Sequence, residues 1–182
     1  MKDRQVLESG AISRMSLEDV EAFLSEASRP YLTAQSWSAM RDFCVGRMQN
    51  RSLPDGQRIR WGDLAVQAAR LKFSEGGVNE LDAAGEEVLS RSYMIENFGP
   101  GEPCSARDPR ALVLYSVEKI GCERDEVSRR ADGWDRLPVP EILFLRRVKN
   151  ILRPLKKVVG CLEEGSLRED LNAWLALIPR LP

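Results

Sequence analysis

From Val139 to Val159 the apolar residues Ile142, Leu145, Val148, Ile151, Leu152, Leu155 and Val159 recur at three- and four-residue steps. That spacing lines one side of a 3.6-residue helix. Arg146, Lys149, Arg153 and Lys156 recur in the same way on another side, with Lys157 beside them, and no acidic residue interrupts Ile142 to Leu162. Pro140 suits the first helical turn, whereas Pro154 removes a backbone hydrogen bond and disfavours helical angles at Arg153. The stretch is therefore predicted as one kinked helix or as two helices meeting near Arg153.

The same rhythm runs through most of the chain. Ser16 with Asp19 three residues on reads as a capping box for a helix carrying Leu17, Val20, Phe23, Leu24 and Ala27, closed by Ser28 to Pro30 after a frayed start. A second helix begins near Thr33 to Ser36 and places Trp37, Met40, Phe43, Cys44 and Met48 inside. Leu53-Pro54-Asp55-Gly56 suits a type I turn, with Gln57 to Trp61 as a short extended piece before a third helix capped by Asp63 and stopped by Gly76-Gly77. A fourth spans about Glu80 to Asn97. Asp108-Pro109 starts a helix through Ile120 with Gly121 as its stop, and its ALVLY centre, apolar nearly all round, predicts deep burial. A polar helix over Arg124 to Ala131, a loop from Gly133 to Pro140 and a last helix opened by a capping box at Ser166 to Glu169 complete the series. About eight helices with short connections imply an all-α fold in a compact bundle. The 182 residues suffice for one domain. Gly99-Pro100-Gly101-Glu102-Pro103 is the strongest punctuation, and two lobes, 1–98 and 104–182, would join there.

Charge narrows the partners. The formal net charge is −1, so no global field draws the chain to nucleic acid or to an anionic membrane. Locally, Asp63 to Glu102 holds eight acidic and three basic residues, and Glu141 to Leu162 holds six basic residues and one acidic. Two candidate faces follow: an acidic one of Glu80, Asp82, Glu86 and Glu87, and a basic one of Arg146, Lys149, Arg153, Lys156 and Lys157. Trp134, between charged neighbours, is the tryptophan expected to be exposed and to touch a partner. Cys44, Cys104, Cys122 and Cys161 form no C-x-x-C pair, which argues against a zinc site or redox dithiol. They read as buried thiols of a cytoplasmic protein, and no apolar run approaches a membrane span.

Chemistry narrows the function. Histidine is absent, which removes the commonest general base and metal ligand. Phosphate-loop, dinucleotide, nucleophile-elbow and calcium-loop motifs are missing. Ser116 and Lys119 match S-x-x-K but lack the partner motifs of that chemistry. Asp82 and Glu86, one turn apart, do not suffice for a metal. The expectation is a non-enzymatic intracellular protein that binds another protein, immunity- or antitoxin-like or an assembly adaptor, with no cofactor and no metal. The alternative is a nucleic-acid-associated protein, a regulator or small helical subunit of a nucleoprotein complex. It would contact phosphates through the basic face, since Phe144 alone offers a ring there for base stacking.

Overall fold

The computed structural model describes residues 6–26 and 29–182. The start expected to fray before Ser16 instead forms a helical turn over Ser9–Ile12 with Ile12 buried. Of the stop expected over Ser28 to Pro30, Ser28 lies outside the described residues, and the helix already ends at Ser25. Among the described residues the fold is all-α: nine α-helices and three short 3-10 turns, with no strand. The chain divides into two compact units, Met1–Ser90 and Arg91–Pro182.

The first unit holds α1 (Ser9–Ile12), α2 (Leu17–Ser25), α3 (Ala34–Gln49), α4 (Asp55–Ser74) and the start of α5 (Glu80–Phe98). Ser16 closes the expected capping box with Asp19, each side chain taking the other's backbone N–H, and Thr33 caps α3 through the Ser36 N–H. Helices α3 and α4 form the main pair, with α2 against α4 and α1 against α3. Trp37, Met40, Cys44, Met48, Trp61 and Leu64 fill the space between, and Phe43 meets Trp61 edge-on at 5.4 Å.

The break expected around Gln57 to Trp61 is absent. Helix α4 begins at Asp55 and runs unbroken to Ser74, so neither a separate turn ending at Gly56 nor an extended piece exists. The reason is Arg58, whose guanidinium is buried and donates to the Met48 carbonyl at 3.0 Å and to Asp55 at 2.8 Å. A cation occupies the position where the apolar stripe would have continued. Beyond α4, Gly76 lies against the Ala34 backbone so closely that a Cβ would sit 3.0 Å from its Cα and 2.4 Å from the Lys72 carbonyl oxygen, which leaves room for glycine alone.

The division falls inside α5, and the residues after it belong with the second unit: Arg91 Nε donates to the Ala106 carbonyl at 2.9 Å. The Gly99 to Pro103 segment is tied down by its own hydrogen bonds. Gly101 N–H reaches the Arg107 carbonyl, and the Arg107 guanidinium returns to the carbonyls of Phe98 and Gly99. Next come α6 (Pro109–Ile120), α7 (Arg124–Ala131), α8 (Val139–Leu155) and α9 (Ser166–Leu175). Helices α6, α7 and α9 all pack on α8, whose Leu145, Val148, Ile151, Leu152 and Leu155 are fully buried. Pro154 stands in the last turn of α8, so there is one helix that ends a residue later, neither continuing past a kink nor meeting a second α-helix. The capping box expected at Ser166 does not form. Gly165 holds the N-cap place, Ser166 is already helical, and no side chain caps α9.

Candidate binding groove between α6, α7 and α9

Asp108 and Gly121 set α6 in place. The Asp108 carboxylate accepts from the N–H groups of Arg110 and Ala111 at 2.9 and 3.1 Å and from that of Cys104 at 2.8 Å. Gly121 ends the helix in the left-handed region at φ 70°, the usual glycine stop. Only Cys122 and Glu123 then separate it from α7, so the two helices are joined by a short turn.

That turn and α9 enclose a groove of about 1000 Å³. Val113, Leu171 and Trp174 form its buried floor, and Leu114, Val117 and Leu167 line it nearer the solvent. Leu114 is 52% exposed. The deep burial expected for ALVLY thus holds for Leu112 and Val113 and fails at Leu114, because a helix apolar all round has more apolar surface than one packed side can cover.

Charge around the groove is mainly negative. Glu118, Glu123, Asp125, Glu126 and Asp170 stand against Arg124 and Arg129. Arg124 lies 3.8 Å from Asp125, and Glu126 is bonded to Arg130 one turn on. The carboxylates of Glu118, Glu123 and Asp170 are exposed and have no ion-pair or hydrogen-bond partner among the described residues. Cys122 senses this field: burial pushes its thiol up, Glu126 and Glu123 push it the same way, and Arg130 opposes them.

The residues singled out from sequence fall elsewhere and do not form one site. On the basic side, Lys149 donates to the backbone oxygens of Leu181 and Pro182 at 2.7 and 3.2 Å, and Lys157 pairs with Glu96 at 2.6 Å. Arg146, Arg153 and Lys156 remain exposed without a partner among the described residues. On the acidic side, Glu87 is 1% exposed and takes two hydrogen bonds from Arg70, while Glu86 binds Lys72 at 2.6 Å and faces Arg41 at 4.0 Å. Both are engaged within the first unit, and only Glu80 and Asp82 are exposed. Asp82 and Glu86 share no metal-binding cluster, none being present among the described residues. Trp134 sits in a 3-10 turn, Trp134–Arg136, 38% exposed. The Ser116 hydroxyl is buried and donates to the Leu112 carbonyl, and Lys119 stands over the Tyr115 ring at 5.7 Å.

No sequence motif marks the groove as a binding site. The available signal was the surplus apolar position at Leu114 followed by the dense charge of Glu118 to Glu126. Comparison of the chain with family models, with curated proteins and with solved structures returns no match.

Proposed function

We propose that this chain is a non-enzymatic intracellular protein that binds another protein, as a neutralising partner or an assembly adaptor, and that the groove of α6, α7 and α9 is its contact surface. The observation that carries the reading is Leu114, a large apolar side chain more than half exposed at the edge of an apolar-floored groove. Exposed apolar surface rimmed by polar groups is what partner binding covers. The engagement of Ser116 with a backbone carbonyl supports a non-enzymatic role, and four free cysteines suit a reducing compartment. No helix among the described residues is long and apolar enough to cross a membrane.

The second reading, nucleic-acid association, draws on Arg146, Arg153 and Lys156. The test for both is affinity capture from the source cells with and without nuclease, using the wild type, Leu114→Asp and Arg146→Glu/Arg153→Glu. A protein retained at fixed stoichiometry after nuclease and lost with Leu114→Asp supports the first reading. Capture that disappears with nuclease and with the charge reversals replaces it by the second.

A further inference from the structure

We infer that the groove of α6, α7 and α9 receives a basic amphipathic helix of a partner protein, its apolar face on Leu114, Val117 and Leu167 and its lysines or arginines against Glu118, Glu123 and Asp170. The inference rests on the protein-binding reading and specifies its occupant.

Three properties of the groove select that chemistry. Its lining carries five carboxylates against two guanidinium groups, and three of those carboxylates have no partner among the described residues. A cationic ligand gains attraction there without first breaking ion pairs at these three positions, and an anionic one meets repulsion. The wall is made of helices, with no strand among the described residues to extend, so an extended peptide finds no sheet edge for main-chain pairing. Docking of a helix by apolar anchors at i, i+3, i+4 and i+7 is the mode such a wall accepts. The apolar positions themselves are spaced for it: Leu114 and Val117 lie three apart on α6, and Leu167, Leu171 and Trp174 lie four and three apart on α9. Two helical ridges of that kind leave a trough into which a third row of side chains fits.

The probe is a fluorescein-labelled synthetic helix of leucine and lysine, about 14 residues and so about 21 Å long, with leucine on one face. It is titrated against the full chain by anisotropy at low and at moderate salt. A peptide with glutamate in place of each lysine and one with the same residues in alternating order serve as controls. The leucine–lysine helix should bind, and its affinity should fall about tenfold or more with Leu114→Asp and with Glu118→Lys/Asp170→Lys. Added salt should weaken it, and neither control peptide should compete. Circular dichroism verifies that the variants keep their helix content, as expected for changes at exposed positions.

Equal affinity of wild type and both variants for the leucine–lysine helix, or equal binding of the glutamate peptide, overturns the inference. So does a nuclease-resistant cellular partner whose capture is indifferent to Leu114 and to the Glu118/Asp170 pair. In that last case the protein-binding reading stands and only the groove and its occupant fail. Absence of any nuclease-resistant partner overturns the reading itself.

Discussion

At the scale of single residues, burial and charge decide against what the sequence pattern suggests in two instructive places. Arg58 breaks an apolar stripe on paper but is buried in fact, because the Met48 carbonyl at the end of α3 and Asp55 accept its guanidinium hydrogens. A buried cation is tolerable only when so bonded, and the bonding partner lies ten residues away, beyond the reach of local periodicity. Leu114 shows the converse, an apolar residue left outside because Leu112 and Val113 occupy the packed side of the helix and Leu114 lies around from them. Cysteine chemistry separates along the same line. Cys44 is buried and its thiol is pushed up to about 12 by loss of hydration, so at pH 8 only roughly one molecule in ten thousand carries the reactive thiolate. Cys104 is exposed. In the native protein iodoacetamide should modify Cys104 readily and Cys44 only on denaturation, as peptide mass mapping would show. Equal labelling of the two in the folded state contradicts the packing of α3 against α4.

At the scale of elements, helix ends were readable where a single side chain fixes the cap, and misread where the backbone does. Ser16, Thr33 and Asp108 cap as their identities imply. Ser166 has the same credentials but lies one residue inside α9, since Gly165 can take φ 147° and start the helix earlier. Asp108 carries the largest cap burden, bonding Arg110, Ala111 and Cys104 at once. Burial alone lifts its carboxyl, but these three N–H groups, with the charge of Arg91, overcome that and hold it below the ordinary aspartate value. A carboxyl depressed in the folded state stabilises above its unfolded pKa and loses that contribution as pH falls through the folded value. Asp108→Ala should therefore destabilise the chain by about 1–2 kcal/mol near neutral pH. The difference from wild type in urea unfolding should shrink as the pH is lowered below about 4. A penalty unchanged at acid pH would mean that the lost contribution is packing and not the charged cap.

At the scale of the whole molecule, an all-α fold was foreseeable because nearly every segment repeats at helical spacing, whereas the division at Ser90 and Arg91 has no mark in composition. The strongest punctuation, Gly99 to Pro103, is a loop held by Arg107 within the second unit. The acidic and basic stretches likewise dissolve on folding: Glu86 and Glu87 are taken up by Lys72 and Arg70, and Lys149 and Lys157 by backbone oxygens and Glu96. Of the basic residues counted along α8 and its end, Arg146, Arg153 and Lys156 are those both exposed and without a partner among the described residues, Lys157 being exposed but paired with Glu96. That number bounds the alternative function. Three cations displacing counterions from duplex DNA give a log–log salt slope no steeper than about −2.7, well short of the slopes of proteins that neutralise six to ten phosphates. In a net-negative chain the attraction should also be weak at physiological salt. Titration of labelled duplex DNA over a salt series should show a shallow slope, abolished by Arg146→Glu/Arg153→Glu. A slope near that of a six-phosphate contact, surviving those reversals, would place a nucleic-acid surface elsewhere on the chain and remove the reason for preferring the groove.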